Sequence, residues 1–216
     1  MKSIRIVGIS ILVLLLAGCT VAAGTVKGSG NVQIEERSVG DFHGIRLIGS
    51  PDVHITVGGA PSLTLEAEDN LLPLISTEVK NGILEISSEK SFSSRKPIRV
   101  TLTVPELRSV NVLGSGDIMA EGVSGDTFRA MVKGSGDIEL TGAVGHVEVE
   151  VLGSGDIELF GLEAVDGTAT VKGSGDIHIQ ASGSLDLKVL GSGDIRYRGS
   201  AEVHQEVHGS GDIRAD

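Results

Sequence analysis

Val112-Leu113-Gly114-Ser115-Gly116-Asp117-Ile118 is the first of six copies of the unit V-x-G-S-G-D-I in the second half of the chain; the others begin at Val132, Val151, Val171, Val189 and Val207. Their leading glycines, Gly114, Gly134, Gly153, Gly173, Gly191 and Gly209, are 20, 19, 20, 18 and 18 residues apart. A motif that returns at a near-fixed period marks one supersecondary unit stacked on copies of itself. Function is then to be sought on a long repetitive surface rather than in a single cleft.

The flanks of the unit define its structure. Two residues beyond the isoleucines stand Ala120, Leu140, Leu159, Ile179, Tyr197 and Ala215; two before the valines stand Val110, Ala130, Val149, Ala169, Leu187 and Gln205. This period-2 alternation on both sides predicts strand, tight turn, strand, with β-branched residues suited to the pleat. Stacked copies place like residues ~4.8 Å apart, so Val and Ile form continuous apolar ladders inside the coil. The outward positions vary: Leu113, Lys133, Leu152, Lys172, Leu190 and His208 before the turn, and Met119, Glu139, Glu158, His178, Arg196 and Arg214 after it. Gly122, Gly142, Gly161 and Gly199 mark a further corner. The fold class is therefore all-β, a right-handed parallel β-helix (solenoid) of 18–20-residue coils, the hand being that of parallel crossovers in general.

Two weaker copies lie upstream, Val26-Lys27-Gly28-Ser29-Gly30-Asn31-Val32 and Leu47-Ile48-Gly49-Ser50-Pro51-Asp52-Val53. The 65 residues from Gly49 to Gly114 break the period. Within them Ser62 to Glu68 reads as a strand, Asp69 to Thr77 as a short helix, Val79 to Leu84 as a hairpin around Asn81-Gly82, Ser87 to Lys96 as a polar loop, and Ile98 to Val104 as a strand. Residues 25–107 are thus expected to form an irregular first section that caps the regular repeats of 108–216.

The N-terminus carries a second signal. Lys2 and Arg5 precede an apolar stretch, Ile6 to Ala17, of signal-peptide length and too short for a comfortable membrane span. It ends in Leu16-Ala17-Gly18-Cys19, which resembles a bacterial lipobox. This predicts a lipoprotein signal peptide over 1–18, lipid attachment (palmitate) at Cys19 and a short linker over 19–24. Two or more acyl chains give stable membrane anchoring. Thr20 stands where an inner-membrane retention signal has Asp, which favours the outer membrane. Cys19 is the one cysteine, so no disulfide forms within a molecule. Loss of residues 1–18 removes Lys2, Arg5 and no acid, taking the net charge from −11 to −13. Such acidity argues against nucleic acid and against electrostatic docking on anionic lipid.

From about Arg37 to Arg214, roughly four fifths of the chain, the sequence resembles the putative autotransporter adhesin head domain, the GIN domain family. The resemblance is carried by Phe42-His43-Gly44-Ile45 running into Gly49-Ser50-Pro51-Asp52-Val53, by Glu68-Asp69-Asn70-Leu71-Leu72, by Val104-Pro105-Glu106-Leu107 and by the G-S-G-D units. It implies a β-helix and an adhesin-like role, and it brings no catalytic residues with it.

Asp117, Asp137, Asp156, Asp176, Asp194 and Asp212 would form a carboxylate ladder whose neighbours repel by roughly 0.9 kcal/mol per pair in bulk water. Hydrogen bonds from turn N–H groups, as in Asx-turns, are the favoured compensation; Ca²⁺ held between coils is the sharper alternative. No other cofactor is expected. His204 and His208 sit ~13 Å apart on a strand and cannot share one ion, and His178 is expected between Glu158 and Arg196 in an exposed charge ladder. Six equivalent serines argue against one activated nucleophile, and no isolated carboxylate pair stands out, so neither catalytic nor metal residues are assigned. The favoured reading is a non-catalytic envelope lipoprotein presenting a β-helix to a protein or glycan. The alternative is a structural or self-associating scaffold, since the chain stops at Asp216 just after the last turn and leaves strand edges open, blunted by Arg214 and Asp216. A carbohydrate-active β-helix enzyme ranks third, because aromatics for sugar stacking make up only 2% of residues.

Overall fold

The computed structural model describes residues 25–216; the expected signal peptide 1–18, Cys19 and the linker 19–24 lie outside the described residues. The first section contains β1 (Val26–Lys27), β2 (Val32–Glu36), β3 (Gly44–Leu47), β4 (Asp52–Val57) and β5 (Ser62–Glu68). A 3₁₀ turn at Leu72–Leu74 follows, then β6 (Ile75–Lys80), β7 (Ile83–Ser88), β8 (Phe92–Ser93), β9 (Arg99–Val104) and β10 (Ser109–Val112). The short helix expected over Asp69 to Thr77 shrinks to that 3₁₀ turn. From Ile75 the chain pairs antiparallel with β7, and β-branched Ile75 and Thr77 suit the ladder better than a helix. The expected hairpin is present: Asn81 (φ 53°) and Gly82 (φ 75°) take the left-handed values of a type I′ turn between β6 and β7.

Beyond β10 run β11 (Ile118–Val132), β12 (Ile138–Val151), β13 (Ile157–Val171), β14 (Ile177–Val189), β15 (Ile195–Gly199), β16 (Glu202–Val207) and β17 (Ile213–Ala215). The sequence suggested two separate strands per coil. Instead the first four segments between G-S-G-D turns, β11 to β14, are each one long bent strand, because the parallel ladder continues through the second corner with only register shifts, as between Ala120 and Val123; the last segment keeps two strands, β15 and β16. Three of the four glycines expected at that corner, Gly122, Gly142 and Gly199, adopt positive φ.

All pairing from β10 to β17 is parallel and keeps equivalent repeat positions in register: Ile118, Ile138, Ile157, Ile177, Ile195 and Ile213 form one continuous ladder. Val112, Val132, Val151, Val171 and Val189 and the first five of those isoleucines are at most 1% exposed. Burying each such side chain contributes roughly 1.5–3 kcal/mol. The last coil differs: Gln205, Val207 and Ala215, at inward repeat positions, are exposed.

The stack continues beyond the G-S-G-D repeats, but in a different order from the sequence. β3 lies between β7 and β10, and β4 lies between β9 and β11. The coil β3–turn–β4 is thus inserted between β7–β9 and β10–β11. Its turn Gly49-Ser50-Pro51-Asp52 sits directly under Gly114-Ser115-Gly116-Asp117, with Ser115 N–H donating to Gly49 O at 2.8 Å. The period broken in sequence is therefore kept in space. The intervening chain leaves the stack, with β5 antiparallel to β9 and β2 antiparallel to β5, and returns as β7–β9. The other upstream copy, Val26 to Val32, does not join the turn column: β1 pairs with β8 in a separate two-stranded sheet.

Candidate functional site

The turn column explains the G-S-G-D sequence. Ser135 N–H donates to Gly114 O, Ser154 N–H to Gly134 O and Ser174 N–H to Gly153 O, each at 2.9 Å. A Cβ on Gly134 would fall on the Gly114 carbonyl oxygen, and one on Gly136 on the Gly116 carbonyl oxygen. Close approach of successive backbones, rather than positive φ, requires glycine here. The aspartates accept turn N–H bonds as expected, but from the next coil rather than within their own turn. Asp137 N–H donates to Asp117 Oδ1 at 2.9 Å, Asp156 to Asp137 at 2.8 Å, Asp176 to Asp156 and Asp194 to Asp176 at 2.7 Å, and Asp212 to Asp194 at 2.9 Å. Each of the five carboxylates from Asp117 to Asp194 is thus a clamp between coils, whereas Asp212 in the last turn accepts from Ile213 N–H beside it at 2.9 Å; these charge-assisted bonds offset the repulsion along the column. Among the described residues no group of three or more His, Cys, Asp or Glu is arranged to hold a metal ion.

Two outer faces flank this column and use charge differently. On the face before the turns, neighbouring coils pair opposite charges: Arg129 with Glu148 at 2.8 Å, Lys172 with Glu150 at 2.5 Å and Lys188 with Glu206 at 2.6 Å. Such exposed pairs contribute a few tenths of a kcal/mol each. On the face after the turns like charges stack: Glu139 lies beside Glu158, and Arg196 beside Arg214, which also reaches Asp194 at 3.4 Å; His178 lies between the two groups. The two groups meet where His178 Nδ1 contacts Glu158 at 2.7 Å, so His178 stands between Glu158 and Arg196 as expected. The Phe160 ring stacks on His178 with centroids 5.1 Å apart, and the Arg198 guanidinium covers it at 3.9 Å. Arg198 also pairs with Asp216, whose carboxyl it holds below the usual range. Arg196 Nε is the one buried side-chain nitrogen or oxygen without a partner among the described residues. His204 lies on β16 and His208 follows it; a strand holds them too far apart for one ion.

A third feature was not read from the sequence as a site. Glu68, fully buried at the end of β5, accepts from Gly30 N–H at 2.6 Å, Ser94 Oγ–H at 2.7 Å and Arg95 N–H at 2.9 Å. Burial pushes its pKa up, and the bonds from Arg95, Ser94 and Gly30 more than reverse this, leaving it below the ordinary value. Beside it Asp69 accepts from Ser29 Oγ–H at 2.6 Å and Asn31 Nδ2–H at 2.9 Å, and Asn70 Oδ1 accepts from Ser29 N–H at 2.9 Å. Glu68-Asp69-Asn70 is therefore a receptacle for the Gly28-Ser29-Gly30-Asn31 loop. Both stretches were legible as motifs; their meeting across 38 or more residues was not.

A cleft of ≈ 270 Å³ brings Phe42 and His43 together with Val104, Pro105 and Glu106. Arg108 pairs with Glu106 at 2.5 Å and lowers its pKa. Arg108 N–H donates to His43 O at 2.7 Å, and His43 N–H to Gly82 O at 2.9 Å. The Phe42–Ile45 and Val104–Leu107 motifs are thus hydrogen-bonded together where the chain re-enters the stack.

Residues 41–201 match the family described as "Putative auto-transporter adhesin, head GIN domain". The chain belongs to this family. A solved structure of a "putative adhesin" from Bacteroides fragilis is 27% identical, with a TM-score of 0.74 over 88% of this chain and 100% of that one. One of a "putative lipid binding protein" from Parabacteroides distasonis is 25% identical, with a TM-score of 0.56 over 89% of this chain and 100% of that one. A "putative adhesin" from Parabacteroides merdae, at 20% identity and a TM-score of 0.52 over 89% of this chain and 99% of that one, shares the fold. No curated protein matches the chain. The head-domain family and its adhesin-named relatives support an adhesion-related, non-enzymatic role for the solenoid.

Proposed function

We propose that this GIN-family chain is a lipid-anchored protein of the bacterial envelope that presents its β-solenoid as a non-catalytic recognition surface for a protein or glycan. The observation that carries the reading is the face after the G-S-G-D turns. There the coils stack Glu139 on Glu158 and Arg196 on Arg214, although the opposite face pairs its charges. Stacked like charges cost free energy within the fold, and an external partner of matching charge pattern recovers it. Lipidation of Cys19 would tether this surface to a membrane, the outer membrane where the cell has one.

The test is saturable binding of the purified full chain to a panel of glycans and matrix proteins, with and without Ca²⁺. Glu139→Lys with Glu158→Lys is expected to weaken a hit by about tenfold or more, while Lys133→Glu on the other face leaves it unchanged. A blank panel, or equal losses from both faces, overturns the reading. Incorporation of labelled palmitate, abolished by Cys19→Ser, is expected for the anchor.

A further inference from the structure

Among the edge strands of the sheet, β2 has unusual properties. Among the described residues it pairs with β5 alone, and no described strand lies on its other edge. None of its five residues is buried, and Ile34 at its centre is 69% exposed, the most exposed large apolar side chain among the described residues. Edge strands in monomeric proteins are commonly blunted by charge, above all Lys, by Pro or by a bulge; Val32-Gln33-Ile34-Glu35-Glu36 carries no Lys or Pro, confines its charge to Glu35 and Glu36 at one end, and pairs with β5 without a register break.

The hydrogen-bond phase of β2 fixes what the free edge offers. Asp69 N–H donates to Asn31 O at 2.9 Å, and Arg37 N–H to Leu63 O at 3.0 Å. In an antiparallel ladder the bonded residues alternate, so Gln33 and Glu35 exchange bonds with Ala67 and Leu65. The peptide groups of Val32, Ile34 and Glu36 then point to the free edge.

We infer that this edge is a self-association site at which β2 pairs antiparallel with β2 of a second copy across a two-fold axis at Ile34. Only a register with its axis on a residue, not between two, sets outward peptide groups against each other, and of these the one centred on Ile34 pairs all five residues of β2. That register sets Ile34 against the partner's Ile34, Val32 against the partner's Glu36 and Gln33 against the partner's Glu35. No carboxylate lies directly opposite another, and the exposed isoleucines cover each other. The edge is thus complementary to itself, as a two-fold interface requires. The pairing joins the sheets of two solenoids into one and makes the assembly bivalent, which raises avidity for a repetitive partner wherever geometry lets both copies engage it. The inference stands whether or not that partner is found.

The test uses the full chain with Cys19→Ser, so that an introduced thiol is the only one. Sedimentation is expected to show a monomer–dimer equilibrium that Ile34→Lys weakens by about tenfold or more, while Val165→Lys, at another exposed apolar position, has no effect. On oxidation Ile34→Cys is expected to give a covalent dimer. Val32→Cys alone is not, but a mixture of Val32→Cys and Glu36→Cys chains is, since those two positions face each other across the axis. A parent that is monomeric at all concentrations, a dimer indifferent to Ile34→Lys, or self-linking of Val32→Cys as efficient as that of Ile34→Cys overturns the inference.

Discussion

At Gly134 one added methyl would occupy the place of the Gly114 carbonyl oxygen, which already accepts from Ser135 N–H. The turn backbone is locked to its neighbours above and below and cannot give way without breaking bonds in two coils. Gly134→Ala is therefore expected to cost about 3 kcal/mol, at the upper end of overpacking effects. Ser135→Ala, at an exposed side chain one residue away, is expected to change stability by no more than about 0.5 kcal/mol. Chemical denaturation of the two variants measures the difference. The same logic separates the serine from the aspartate of the unit. Ser contributes its backbone N–H to the column, whereas each Asp but the last contributes its carboxylate to the N–H of the next coil. The sequence showed that all four residues recur, but not which atoms make the repetition necessary.

At the scale of elements, β1 and β2 are held mainly by polar contacts. β2 has no buried side chain, and the loop before it is tied to Glu68, Asp69 and Asn70. Glu68 is the group whose protonation should release this segment. Its pKa in the fold lies below the ordinary value of about 4.3, so its stabilising contribution is fully present above that value and is lost as pH falls through the folded pKa. Hydrogen exchange or limited proteolysis across residues 25–36 is expected to show selective opening as pH falls below the ordinary carboxylate range, while β11 to β14 stay protected. Glu68→Gln should open the segment even at neutral pH, because a neutral amide accepts the Gly30 and Arg95 N–H groups less strongly. Uniform protection across the chain in both experiments would remove the receptacle from the account.

For the whole molecule, stability is expected to follow position in the stack, since each coil touches only its neighbours. Val151→Asp places an unpaired charge between central coils, at a position 0% exposed, and should cost several kcal/mol. Ile213→Asp, in the last coil with one neighbour, should cost markedly less and open only the end. Lys172→Asp, on the outer surface next to the buried Val171, should be nearly silent apart from losing its pair with Glu150. Melting temperatures of the three variants check both the coil register and the one-dimensional cooperativity. If Val151→Asp and Lys172→Asp had equal effects, the inward and outward assignment of every coil would fail with them.

The solenoid itself was legible because its signal is repeated: alternation of Val, Gly, Asp and Ile at a fixed period fixes which side chains face inward, and parallel stacking follows from placing like on like. The Asn81-Gly82 hairpin was legible for a local reason, that a type I′ turn needs two residues tolerant of positive φ. What only the tertiary structure decided are the meetings of distant segments. The coil of β3 and β4 enters the stack between strands that follow it in sequence, Asp69 to Thr77 gives up its helix to pair with β7, and the Gly28–Asn31 loop leaves the turn column for Glu68. The charge pattern of the outer faces belongs to the same class, because it depends on which coils are adjacent and on the register between them. Periodicity encodes what each residue does within its own coil; the order in which coils and cap strands assemble is set by competition among long-range pairings, and no local stretch of sequence carries that information.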